Sequence, residues 1–282
     1  MVSLAARRNM AVHLQSEFQI SERRACQVLE LSRSSKRRKP SRRWALLTRR
    51  LVALSEKHSR MGYRKIWRLL RKEGFVVARE RVRLLRKQHG LGIVRKQRKR
   101  RARRGTSTGQ PTKAMYKGHV WTYDFMQDQT TDGKRLRCLT VLDEYTKQGL
   151  VIEIARSLTS EDVKKVLRNL FDIYGEPVYL RSDNGSEFTA HSVIDWLKNE
   201  TSVKTLFINP GSPWENGIGE SFNNIYRDGC LNRWLFDTAQ EARNESDLWL
   251  HEYNHIRPHG SLGLLTPIEF MELCETREKM VA

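Results

Sequence analysis

Beyond about residue 118 the chain alternates short apolar runs with helical stripes. HVWTYDFM, LRCLTVLD and GLVIEIA are rich in β-branched and aromatic residues, the composition that fits a pleated, half-buried strand. TTDGKR and EYTKQ separate these runs and read as hairpin turns. In SLTSEDVKKVLRNLFDIYG the period changes. Val163, Val166, Leu167 and Leu170 form one helical face, with Thr159 placed to cap the helix and Gly175 to stop it. PVYLRSD then predicts a strand, HSVIDWLKNE a helix and VKTLFI another strand before a last helix.

The N-terminal part is patterned as helices. In SERRACQVLELSRSSKR, Ser21 and Ser32 are placed to cap two short helices, the first with Ala25, Val28 and Leu29 on one face. This gives a helix-turn-helix-like segment over 1–42. Trp44, Leu47, Leu51 and Leu54 recur at helical spacing over about 43–58. A second helix is expected in YRKIWRLLRKEG, where Ile66, Leu69 and Leu70 are apolar and Gly74 is the stop. FVVARERVRLLRKQHGL predicts a short extended piece, a helix and a stop at Gly90. With the basic tail, residues 43–104 fit a winged-helix or homeodomain-like unit. Arg81, Arg83, Arg86 and Lys87 lie on or beside its last helix as DNA groove readers.

Charge sharpens this division. Residues 1–110 hold 33 Lys and Arg against 6 Asp and Glu, a net of +27, so the remainder carries −7 of the chain's total of +20. A polycation attracts polyanions by counterion release, so the first part is expected to bind nucleic acid. In RKQRKRRARR (95–104), Arg95, Lys96, Arg98, Lys99 and Arg100 are expected to track phosphates. GTSTGQPTK is small and polar, and a linker is assigned to 105–117. That leaves 118–275 as a second domain with a C-terminal extension, and 276–282 as a tail. No run approaches ~18 apolar residues, so no membrane span is expected. MVSLAARRNMAVHLQSEF lacks the apolar core of a signal peptide. Cys26, Cys138, Cys230 and Cys274 form no CxxC pair, which argues against a zinc ribbon or disulfide framework and for a reducing cytoplasm.

The order βββ-α-β-α-β-α is that of an α/β, ribonuclease H-like fold: a mixed five-stranded sheet flanked by helices, here preceded by the all-α region. In such a sheet the first and fourth strands are central neighbours. Asp124 lies in the first run and Asp183 just past the fourth, so the two carboxylates can meet. In-line cleavage of a phosphodiester needs an activated attacking oxygen and a stabilised leaving oxygen. Two divalent ions roughly 3.5–4 Å apart do both. Mg²⁺ or Mn²⁺ takes hard oxygen ligands. For the third acid, Ser212-Pro213-Trp214-Glu215 matches a capping box with proline at the first helical position, which gives Glu215 a structural role. Glu220 then falls inside the helix. Asn216, Asn223, Asn224 and Arg227 share its face as a polar working surface. His251, His255 and His259 are set aside as zinc ligands because no cysteine pair accompanies them and Pro258 interrupts the helix.

WTYDFM, RSDNGSEF and PGSPWENGIGESFNNIYRDGCLN resemble the three motifs of the retroviral-integrase-type catalytic core. They are most similar to insertion-sequence transposases of the IS-three family, the second-frame OrfB product. HSRMGYRKIWRLLRKEGF resembles that family's helix-turn-helix segment and YNHIRPHGSLGLLTPIEF its C-terminal motif. The resemblance implies Asp124, Asp183 and Glu220 as the catalytic and metal-binding triad, with Arg227 contacting terminal DNA. One spacing departs from the pattern: 36 residues separate Asp183 and Glu220, one more than usual, with the extra residue near Thr201-Ser202.

The expected function is metal-dependent DNA cleavage and strand transfer at the ends of an insertion sequence. The expected partners are terminal inverted repeats, target DNA and further copies of the chain, in the bacterial cytoplasm at the nucleoid. In the family an upstream-frame helix-turn-helix and leucine-zipper product is often fused to this one. Two other readings fit the acids. A ribonuclease H-like nuclease would not need so large a polycation. A non-catalytic regulator would bind DNA with a steep salt dependence and show no metal-dependent cutting.

Overall fold

The computed structural model describes residues 4–37, 42–93, 113–182, 187–207 and 217–281. The chain forms two compact units, Met1–Leu54 and Ser55–Ala282. In the first, α1 (Leu4–Phe18), α2 (Glu22–Val28) and α3 (Arg33–Arg37) carry a small core of Ala11, Ala25 and Leu31. Both expected caps form: Ser21 Oγ accepts the Arg24 N–H at 3.2 Å and Ser32 Oγ the Ser35 N–H at 3.1 Å. The sequence pattern does not announce α1. Its Leu4, Met10, Val12 and Phe18 stay exposed instead of lining one buried stripe. The unit boundary falls within α4 (Arg42–Lys57).

In the second unit α5 (Tyr63–Lys72) and α6 (Arg79–Gln88) pack on each other and bury Ile66, Leu69, Leu70, Val82 and Leu85. The extended piece expected before α6 forms no strand, and neither do residues 89–93. Among the described residues this region is therefore helical. The basic arm and most of the expected linker lie outside the described residues.

Five strands follow: β1 (Val120–Gln129), β2 (Arg135–Asp143), β3 (Gly149–Ala155), β4 (Tyr179–Ser182) and β5 (Lys204–Phe207). They form one mixed sheet in the order β3-β2-β1-β4-β5, the ribonuclease H-like arrangement. β1 is antiparallel to β2, with Asp124 opposite Thr140, and parallel to β4, with Thr122 opposite Arg181. Side chains alternate between the two faces. Trp121, Tyr123, Leu139, Val141 and Leu180 enter the core shared with α7 (Ser160–Tyr174) and α8 (Glu187–Glu200). Met126, Leu136, Cys138, Leu142 and Ile152 enter the other core, against α9 (Gly217–Gly229) and α10 (Ala239–His255). Asp124 sits two residues before Met126 and so faces α9.

Local devices fix this frame. Thr159 and Asp162 form a reciprocal capping box at the start of α7. The buried Asp143 accepts the Tyr145 and Thr146 N–H groups on Oδ1 and the Gly118 N–H on Oδ2, which locks the β2–β3 hairpin to the start of β1. Asn254 of α10 pairs its amide with both the N–H and the C=O of Gly149, at 3.0 and 2.8 Å. α11 (Pro267–Val281) runs on through residues 276–281, where a tail is expected from sequence. Good helix formers and the absence of Gly or Pro in ETREKM explain the continuation.

Candidate active site

Asp124 projects half-buried from β1. Its Oδ1 accepts the Phe125 N–H at 2.7 Å. Its Oδ2 accepts the Asn223 Nδ2–H, also at 2.7 Å. The Thr140 hydroxyl donates to Asn223 Oδ1 at 2.9 Å and lies 3.2 Å from the Asp124 carbonyl oxygen. Asn223 is 8% exposed. From sequence, Asn223 is expected on a polar working face that binds DNA; here it is enclosed. Its amide is engaged inside the protein, because the central sheet offers it a carboxylate and a hydroxyl.

Glu220 occupies the first turn of α9 as described and is exposed. It opens on a cavity of about 450 Å³ lined on α9 by Ser221, Asn224 and Asp228, and also by Arg60 and Arg257. Burial lowers the pKa of Arg257. Burial, assisted by Arg257, pushes Lys65 down to about 7. His259 is held at about 3 by burial, with Lys65 and Arg257 adding repulsion. Lys65 and His259 thus gather around Arg257, which lines the groove that Glu220 faces. Arg60 and Arg257 were not foreseen as site residues. Arg60 lies in HSRMGYRKIW and Arg257 in YNHIRPH, two segments quoted above for their resemblance, but nothing in the spacing of either segment connects it to Glu220.

The remaining expected residues separate. Asn224 is exposed in the groove. Arg227, two turns beyond Glu220, donates to the Gln127 carbonyl at 3.0 Å and is part-exposed. Arg86 is 5% exposed and donates to the Met61 and Leu91 carbonyls, both at 2.7 Å. It therefore ties α6 to the segments around it and is not available as a groove reader. Arg81, Arg83 and Lys87 are exposed, and Arg83 pairs with Glu80. His251 and His255 stack on each other with ring centroids 4.4 Å apart. Asp183, Asn216, Arg95, Lys96, Arg98, Lys99 and Arg100 lie outside the described residues, as do Ser212 and Glu215. Among the described residues no three His, Cys, Asp or Glu side chains form a metal-sized cluster.

Comparisons with known proteins meet this geometry. Two models of an integrase core domain match residues 116–213 and 201–267, and a model of an HTH-like domain matches residues 42–101. The insertion element IS407 uncharacterized 31.7 kDa protein of Burkholderia multivorans is 35% identical over 261 residues, covering 91% of this chain and 92% of that one. The insertion element IS476 uncharacterized 39.2 kDa protein of Xanthomonas euvesicatoria is 34% identical, covering 92% and 75% respectively. The transposase InsD for insertion element IS2 of Escherichia coli is 27% identical, covering 74% and 73%. Among solved structures, the HTLV-2 integrase catalytic core domain in complex with magnesium is 17% identical over 55% of this chain and 96% of that one, with a TM-score of 0.43. An integrase core preceded by a helix-turn-helix-like region defines a DNA-binding polynucleotidyl transferase. The chain belongs to the insertion-element transposase family.

Proposed function

We propose that Asp124, Asp183 and Glu220 together hold Mg²⁺ or Mn²⁺, two ions per site, and that this centre cuts and joins DNA at the ends of an insertion sequence. The observation that carries the reading is the Asn223–Asp124 hydrogen bond. It ties the strand bearing one acid to the helix bearing another. Chain connectivity supports the third acid. Asp183 directly follows Ser182, the last residue of β4, and β4 is the parallel neighbour of the strand that carries Asp124.

The donor set fits hard divalent cations. It is made of carboxylate oxygens, and the one described in detail already has both oxygens oriented. When bound, such ions supply activation of the attacking oxygen and stabilisation of the leaving oxygen. The chain's own residues supply the rest. Arg60 and Arg257 offer charge to the DNA backbone beside Glu220, and Arg227 flanks the same helix. In cleavage, water attacks a phosphodiester, one P–O bond forms, another breaks, and a 3′-hydroxyl is released. In strand transfer that hydroxyl attacks a target phosphodiester with the same balance. The chain acts as a homo-multimer on terminal inverted repeats in the bacterial cytoplasm at the nucleoid, with or without an upstream-frame helix-turn-helix and leucine-zipper part.

The test is strand transfer on element-end DNA with Mg²⁺ or Mn²⁺. Asp124→Asn, Asp183→Asn and Glu220→Gln should each lower the rate by roughly 100-fold or more, while DNA binding measured in chelator persists. Full activity in any of the three removes that residue from the triad.

A further inference from the structure

We propose that Thr140 is a positioning residue: through Asn223 it aims the Asp124 carboxylate before any metal arrives. The inference rests on reading Asp124 as a metal ligand.

An asparagine amide has a donor end and an acceptor end of nearly the same shape. Turned one way, Asn223 would place its carbonyl oxygen against Asp124, and two acceptors would repel. Turned the other way, it donates. The carboxylate can only accept, so the end facing it at 2.7 Å must be Nδ2. That leaves Oδ1 needing a donor in a place that is 8% exposed. Thr140 provides one at 2.9 Å. The carboxylate thus sets the orientation of Asn223, and the hydroxyl satisfies the buried Oδ1 that this orientation leaves.

Its location supports the role. Thr140 is 3% exposed and stands directly opposite Asp124 in the β1–β2 register. Its neighbours two residues away on the same strand, Cys138 and Leu142, are apolar members of the core against α9 and α10. Valine would fill the same shape there without a polar atom to satisfy. The hydroxyl instead links β2 to α9 and to the strand carrying the acid. Asp124 Oδ1 is held by its own strand through Phe125, and Oδ2 by the helix through Asn223. Both directions of the carboxylate plane are thus set by parts of the fold outside its own side chain, which is how supporting hydrogen bonds tune a ligand.

The experiment compares Thr140→Val, Thr140→Ser and Asn223→Ala in the full chain. Mn²⁺ binding is read from the electron paramagnetic resonance signal of free Mn²⁺, alongside thermal melting. Thr140→Val should weaken Mn²⁺ binding by about tenfold, and Thr140→Ser, which returns the hydroxyl, should restore it to within about twofold of wild type. Asn223→Ala should resemble Thr140→Val, and the double variant should be no weaker than Asn223→Ala alone, since both break one relay. Melting should move the other way: Thr140→Ser loses a buried methyl and melts below Thr140→Val. A purely structural Thr140 would make the serine variant the worse one in both measurements. Wild-type Mn²⁺ affinity in Thr140→Val, or equal loss in Thr140→Ser, overturns the relay. Asp124→Asn separates the two levels. If it abolishes Mn²⁺ binding while Thr140→Val does not weaken it, the relay alone fails. If it leaves binding intact, the ligand reading of Asp124 fails and takes the relay with it.

Discussion

Asn223 and Asn224 are adjacent in sequence and opposite in situation. One is enclosed against Asp124 and Thr140, and the other lies open in the groove beside Glu220. A helix turns by about 100° per residue, so identical neighbours cannot share an environment. The same contrast separates Arg86 from Lys87, and it can be measured. Arg86→Ala leaves the Met61 and Leu91 carbonyls without their charged donor and should cost about 2–4 kcal/mol in urea unfolding. Lys87→Ala should leave stability within about 0.5 kcal/mol and weaken DNA binding instead. His259 gives a pH-dependent case. It is 6% exposed, and its Nε2 has no hydrogen-bond partner among the described residues. Burial, then repulsion from Lys65 and Arg257, holds its pKa at about 3, against about 6.5 when unfolded. The unfolded chain therefore binds the proton first, and stability present above pH 6.5 is lost as the pH falls towards 3. Between pH 7 and pH 4 wild type should lose about 3 kcal/mol more than His259→Gln, measured by urea midpoints. Equal losses would remove His259 as the source.

At the level of elements, β3 and α10 meet closely at Gly149. A Cβ on Gly149 would lie 2.5 Å from Leu250 Cδ1 and 3.0 Å from the Phe222 ring. Gly149→Ala must therefore displace the Leu250 side chain and crowd the Phe222 ring, at a cost of about 1–3 kcal/mol in unfolding measurements. An unchanged unfolding midpoint would mean that the joint yields freely. Such joints explain what was legible in the sequence. β1, β2 and β3 could be read because each alternates between two different cores, and α7 because Thr159 and Asp162 state its start. The sheet order followed from element order, so Asp124 could be placed at the sheet centre in advance. The role of Asn223 could not, because it depends on a hydroxyl 83 residues away that sequence spacing does not connect. Arg86 looked like its exposed basic neighbours because a cation that folds back onto backbone carbonyls leaves no mark in composition. The short extended piece before α6 had only β-branched residues in its favour, and it joins no strand among the described residues.

Across the whole chain the charge is split, with +27 in residues 1–110 and −7 in the rest. The split matches a division of labour between holding a polyanion and gathering cations with carboxylates. An acidic part would repel DNA unless another part of the same chain supplied the attraction, and the electrostatic share of that attraction is set by how many phosphates are neutralised. Replacing Arg95, Lys96, Arg98, Lys99 and Arg100 together by glutamine removes five positive charges. If each meets one phosphate, the slope of log K against log salt should fall by about 0.9 per contact, up to roughly 4.5 in all. Because the term is independent of sequence, affinity should drop for random duplex and for element-end DNA alike. Mn²⁺ binding in the absence of DNA should not change, since these five positions lie outside the acidic part. Filter binding across a salt series measures the slope, and the free-Mn²⁺ signal measures the rest. A slope that stays put would mean that the polycation serves something other than phosphates. A lost Mn²⁺ signal would mean that the two halves of the charge pattern are not separable.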